Sequence, residues 1–138
     1  MGRSKGGLTT KIHVVTSSAK TAVAFSLSPG NAHDAPEGQK LFASLNGKGA
    51  SLLMDRAYEG DETREFAKKQ GFIVVVPPKK NRKHSWEYDK ELYKSRNEIE
   101  RFFLRIKRFR KVFTRYDKLD IIYTGVIIMA LIYDALLM

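Results

Sequence analysis

An α/β fold is predicted for this chain of 138 residues by three observations. Two runs of alternating apolar residues, LTTKIHVVTS and AVAFSLS, stand close together near the N-terminus. A continuous apolar run, Leu52-Leu53-Met54, opens a strand, helix, strand, helix order from residue 50 onward. The stretch Asp89–Phe113 then contains neither proline nor glycine and consists mostly of strong helix formers, which predicts one long helix.

In chain order, residues 1–7 (MGRSKGG) read as a flexible basic lead-in. Ile12, Val14 and Val15 mark a first strand, and Val23, Phe25 and Leu27 alternate with small or polar residues in a second. The short break at 17–21 predicts an antiparallel hairpin with one buried face. Pro29-Gly30 ends it, and Asn31, His33 and Asp34 form a loop. A short helix from about Ala35 to Leu45 follows, with Asp34 as its expected N-cap and Asn46-Gly47 closing it. Leu52–Met54 fits a strand covered on both faces, and Asp55 falls at its carboxyl end, where open α/β sheets place their working residues. A helix over 61–70 is stopped by Gly71, and the strand FIVVV by Pro77-Pro78. This order implies a right-handed βαβ crossover. Residues 79–89 (KKNRKHSWEYD) form a basic loop leading into the long helix. The final IIYTGVIIMALIYDALLM is at the short limit for a membrane span and is interrupted by Asp134. It is read as a core helix lying on the sheet rather than a span.

On a helical wheel at about 100° per residue from Tyr93, Leu92, Ile99, Phe102, Phe103, Ile106 and Phe109 share one apolar face. Lys90, Lys94, Arg101, Arg105 and Arg108 gather on a basic face. Between the two runs a narrow stripe of Tyr93, Arg96, Glu100 and Lys107, a carboxylate at the edge of a buried face with two cations and a phenol in line. The ordinary alternative is an Arg96–Glu100 pair at i, i+4, worth a few tenths of a kcal/mol.

Net charge is +10, and its placement says more than its size. Residues 79–118 hold fifteen Lys and Arg against six Asp and Glu, a net +9, whereas the other 98 residues contribute +1. A one-sided basic segment interleaved with aromatics points to a polyanion, with nucleic acid first and Lys79, Lys80, Arg82, Lys83, Arg101, Arg105 and Arg108 as the contacts. A solvated face or an anionic lipid surface is the alternative. The chain has no cysteine, which excludes disulfides and thiolate metal sites. No signal-peptide pattern opens it, so the cytoplasm is the expected compartment.

The spacing Tyr93, two residues, Arg96, three residues, Glu100, six residues, Lys107 resembles the Y-R-E-K signature of bacterial insertion-sequence DDE transposases. GRSKGGLTTKIH, PGNAHD, DRAY around Asp55, PPKKNRK and ERFFLRIKRFRKVFTRYDKL likewise resemble consecutive blocks of the insertion-sequence-five type, within the insertion-sequence-four-like superfamily. The resemblance implies a ribonuclease-H-like mixed sheet flanked by helices. It also implies an Asp, Asp, Glu triad holding two Mg²⁺ (or Mn²⁺) ions for DNA strand cleavage and strand transfer. The second Asp falls on Asp55 and the Glu on Glu100, both metal ligands. Tyr93, Arg96 and Lys107 take the accessory positions. Such chemistry suits carboxylates, because Mg²⁺ prefers oxygen ligands and paired ions stabilise both attacking and departing oxygens.

The family's first Asp lies on a central first strand upstream of GRSKGG, so the sequence is expected to lack that ligand and that strand. Asp34 is an alternative third carboxylate, though its N-cap role is the simpler reading. Two functions therefore stay open. One is a transposase that is partial and inactive alone, acting on insertion-sequence ends and target DNA with an upstream-frame product, and oligomeric when full length. The other is a non-catalytic DNA-binding remnant or regulator of an intact transposase.

Overall fold

The computed structural model describes residues 2–4, 7–18, 21–113 and 119–136. They form two compact units, one from residues 1–32 and 97–138, the other from residues 33–96.

The first unit opens with β1 (Gly2–Ser4), β2 (Gly7–Ser18) and β3 (Thr21–Pro29), antiparallel in the order β1-β2-β3. The predicted hairpin is present. The predicted lead-in, however, contains a strand, since Gly2 pairs with Thr9 and Ser4 with Gly7. Backbone pairing needs no apolar pattern, so this glycine-rich segment carried no periodic signal. Ile12 opposes Leu27 and Val14 opposes Phe25, and these four pack with Ala22 on the helical core. Val23 does not join them. The register slips between Val15 and Thr16, Ala22 takes the inward place, and Val23 stands 49% exposed.

The rest of this unit is α4 (Asn97–Ile106), α5 (Arg110–Phe113) and α6 (Asp120–Leu136). Phe102, Ile106, Val112, Tyr123, Ile127 and Ala130 form the buried core, with Ile99, Phe103 and Phe109 packed against it. The Tyr123 hydroxyl donates to the Val112 carbonyl at 2.7 Å. The Asp134 carboxylate, buried among apolar neighbours in sequence, accepts two branches of the Arg105 guanidinium at 3.1 Å each. No helix of the described residues is long and apolar enough to cross a membrane.

The second unit holds α1 (Asp34–Ala43), β4 (Ser51–Leu53), a 3₁₀ turn (Arg56–Tyr58), α2 (Asp61–Lys69), β5 (Ile73–Val75), α3 (Lys90–Tyr93) and a second 3₁₀ turn (Lys94–Arg96). β4 and β5 pair in parallel across α2, Leu52 opposing Val74. Leu41, Phe42, Leu52, Met54, Ala67, Val75 and Val76 are buried here. Gly47 donates its N–H to the Gln70 carbonyl at 2.7 Å, and a Cβ there would stand 2.6 Å from the backbone of Gly71 and Phe72. Gly71 itself has φ +89, the left-handed stop expected after α2. Asp34 is not the N-cap of α1. His33 holds that position, and Asp34 lies in the first turn, where a carboxylate meets the positive end of the helix.

The single helix predicted over Asp89–Phe113 is broken twice. Asp89 caps α3 through the Leu92 N–H at 2.9 Å, and the 3₁₀ turn that follows winds more tightly than an α-helix. After α4, the N–H groups of Arg108 and Phe109 close short bonds to the Arg105 and Ile106 carbonyls at 3.1 and 3.0 Å. On an unbroken helix Val112 would fall at about 100° from Tyr93, inside the basic face. The break turns it inward to 5% exposure. Burial of Val112 is what accompanies the loss of a turn of regular helix.

Candidate active site

Asp55 stands just past the carboxyl end of β4, where it caps the first 3₁₀ turn by accepting the Ala57 N–H at 3.1 Å. Its side chain remains 58% exposed, and the Arg96 guanidinium lies 3.7 Å from its second oxygen. Tyr93, the last residue of α3, donates its hydroxyl to the carbonyl of Met54 at 3.0 Å and so ties that helix to the residue before Asp55. The Arg96 guanidinium sits 5.8 Å from the centre of the Tyr93 ring, and Tyr88 meets the same ring edge-on at 5.6 Å. Three of the five expected site residues, Asp55, Tyr93 and Arg96, are thus gathered by the end of β4, α3 and the 3₁₀ turn after it within one unit. An exposed carboxylate beside a guanidinium can present an oxygen to a hard cation while the guanidinium receives a phosphate.

Tyr58 adds a feature that the sequence did not single out. It closes the 3₁₀ turn and lies against α1 at Gly38, where a Cβ would stand 2.8 Å from its ring. Burial first, then the negative charges of Asp34 and Asp55, push its hydroxyl up to about 12. Tyr93 is raised by partial burial, with Arg96 opposing and Asp55 adding to the shift.

Glu100 and Lys107 belong to the other unit. Glu100 is exposed on α4, and Lys107 is exposed just beyond it, its N–H on the Phe103 carbonyl at 2.9 Å. The four stripe residues do not share one unbroken α-helix, because Arg96 closes the 3₁₀ turn between Tyr93 and α4, and Lys107 lies past the end of α4. Among the described residues, no group of three or more His, Asp and Glu gathers as a metal cage. Asp55 and Glu100, each exposed, fit singly as oxygen ligands.

The seven basic residues expected to contact DNA divide into two sets. Arg82 Nε lies 2.6 Å from Glu59 and its Nη2 2.9 Å from Asp61, and Lys79 lies 3.8 Å from Glu59. Arg101 pairs with Glu98 at 3.2 Å and Arg105 with Asp134. Lys80, Lys83 and Arg108 are exposed and, among the described residues, meet no carboxylate. Glu59 was missed by sequence reasoning, since its partner lies 23 residues away. Burial works against its ionisation, but hydrogen bonds from Arg82 and the Lys79 N–H prevail and hold its carboxyl below the usual range. A lone tryptophan, Trp86, inside a basic loop was the one available signal of such a cluster.

The chain matches the family model described as the transposase DDE domain over residues 2–134. It is also 32% identical over 127 residues to a protein of Brucella ovis described as a candidate transposase for insertion sequence element IS6501, covering 89% of this chain and 95% of that relative. No solved structure matches it.

Proposed function

Since the chain belongs to the transposase DDE domain family, we propose that it contributes Asp55 and Glu100 to a centre that cleaves and transfers DNA strands at the ends of an insertion sequence. The observation that carries this reading is the exposed Asp55 at the carboxyl end of a parallel strand, with Arg96 at 3.7 Å and Tyr93 bonded to the preceding residue. Asp55 and Glu100 would hold divalent ions, Mg²⁺ or Mn²⁺. When bound, such ions stabilise charge on the attacking and departing oxygens of a phosphodiester. The chain's own residues supply position and charge. Arg96 neutralises a backbone phosphate beside Asp55, Tyr93 fixes α3 against the strand end, and Lys107 supports a second phosphate. The proposed architecture is ribonuclease-H-like.

Glu100→Gln is expected to abolish Mg²⁺-dependent strand cleavage while leaving DNA binding in place. Retained cleavage refutes the assignment. The second reading, a DNA-binding regulator without catalysis, is favoured by the net +9 over residues 79–118. It predicts that Asp55→Asn and Glu100→Gln leave the chain's interference with an intact transposase unchanged.

A further inference from the structure

Loop 77–89 is fastened to the segment that opens α2. Glu59 is buried to 6% exposure at the end of the first 3₁₀ turn, and its carboxylate accepts Arg82 Nε at 2.6 Å and the Lys79 N–H at 3.5 Å. Its carbonyl accepts Arg64 Nε at 3.1 Å and Arg82 Nη2 at 3.3 Å. Asp61 accepts from both Arg64 and Arg82. Trp86 covers the cluster, its ring centre 3.7 Å from the Arg64 guanidinium and 4.9 Å from that of Arg82. Its indole N–H donates to the Val76 carbonyl at 2.8 Å. Pro77 and Pro78 stiffen the start of the same loop.

A buried carboxylate that receives a guanidinium Nε–H and a backbone N–H is far more committed than a surface pair, because removing either partner strands the other. Such an arrangement is out of proportion to a loop that needs only to connect β5 to α3. What it leaves outward is Lys80 and Lys83, exposed on either side of Arg82.

We propose that Glu59, Arg82 and Trp86 are positioning residues that clasp loop 77–89 onto α2 and present Lys80 and Lys83, already ordered, to the phosphates of bound DNA. Arg82, basic and in the middle of the loop, is spent inside the clasp and touches no phosphate. The inference rests on the DNA-binding reading above and names the surface by which DNA is held. Its advantage is preorganisation, since a loop that is already ordered loses less entropy on binding.

The test is the salt dependence of binding of the full chain to a fluorescently labelled DNA duplex. Lys80→Gln and Lys83→Gln should each reduce the slope of log affinity against log salt by about one. The double variant E59Q/R82Q, which leaves net charge unchanged, should keep the wild-type slope while losing about threefold to tenfold in affinity. It should also open Trp86 to a neutral fluorescence quencher. Because Trp86 is the sole tryptophan, this signal reports the clasp alone. A slope lowered by about one in E59Q/R82Q makes Arg82 a phosphate contact and overturns the proposal. Unchanged affinity in that variant overturns the positioning role. If circular dichroism shows that variant unfolded, Trp86→Phe and the two lysine variants decide. A slope unmoved by Lys80→Gln and Lys83→Gln also overturns the proposal. A wild type that binds no DNA at any salt removes the DNA-binding reading itself, and the clasp's role with it.

Discussion

Tyr58 records the electrostatics of the candidate site at the scale of one residue. Its phenol is held neutral by burial first and by Asp34 and Asp55 after that, which carries it from the ordinary 10.0 to about 12. The difference in phenolate absorbance between the wild type and Tyr58→Phe should therefore titrate near 12. Asp55→Asn should bring it down, and a titration near 10 in the wild type would contradict the arrangement. Because its folded value is raised, the stability that Tyr58 contributes is present below pH 10.0 and lost as pH rises through about 12. Glu59 behaves in the opposite sense. Its carboxyl is held below the usual 4.5, so its contribution is present above that pH and lost as pH falls through the lowered value. Glu59→Gln should cost about 1–3 kcal/mol at neutral pH by weakening a buried, charge-assisted bond. The gap to wild type in denaturant midpoint should close as pH drops below 4.5. A gap independent of pH would mean that the cost lies in packing, not in the ionised pair.

At the scale of elements, what the sequence made legible was periodicity, and what it hid was interruption. Ile12, Val14, Phe25 and Leu27 alternate, and they do share one face of the β2–β3 hairpin. Val23 follows the same alternation and yet points out, because a slip in register is a backbone event with no residue type to announce it. The segment 89–113 lacks any breaker, and its second interruption goes with a tertiary demand, the burial of Val112. Asp55 was legible because strand ends leave a mark in sequence, an apolar run that stops at a carboxylate. The Glu59–Arg82 pair was not, because long-range partners leave none. Asp134 lies between these cases. Its place in an apolar run argued against a membrane span, but only the fold supplies its reason, the bidentate bond to Arg105 that joins α6 to α4. Asp134→Ala should cost about 3–5 kcal/mol, because it removes the carboxylate that the Arg105 guanidinium, 20% exposed, binds through two of its nitrogens. Asp134→Leu with Arg105→Leu should recover most of that loss, as paired apolar replacements of buried ion pairs do. Thermal unfolding of Asp134→Leu, Arg105→Leu and the double variant checks this. A double variant less stable than either single would show that the pair stabilises beyond satisfying itself.

For the whole molecule, the question is whether +10 of net charge acts as a diffuse field or through a few fixed contacts. A diffuse field makes every lysine equivalent. Fixed contacts make Lys80, Lys83 and Arg108 special, because they are exposed and, among the described residues, meet no carboxylate, whereas Lys40, Lys68 and Lys94 each pair with a glutamate three residues away. Two triple variants to glutamine remove the same charge and differ only in which cations are lost. Under the DNA-binding reading, loss of Lys80, Lys83 and Arg108 removes three phosphate contacts and lowers the salt slope by about 2.7. Between 50 and 200 mM salt that is about fortyfold less affinity lost than in the wild type. Loss of Lys40, Lys68 and Lys94 should leave the slope where it was. Equal flattening by both triples would assign binding to net charge alone, and the basic segment would then be a solvated surface without fixed contacts. Unequal flattening in the expected direction means that the acids of the fold have already selected which cations are left for DNA. In that case the +9 of residues 79–118 overstates the binding surface, since Arg82 and Arg105 are committed to buried carboxylates instead.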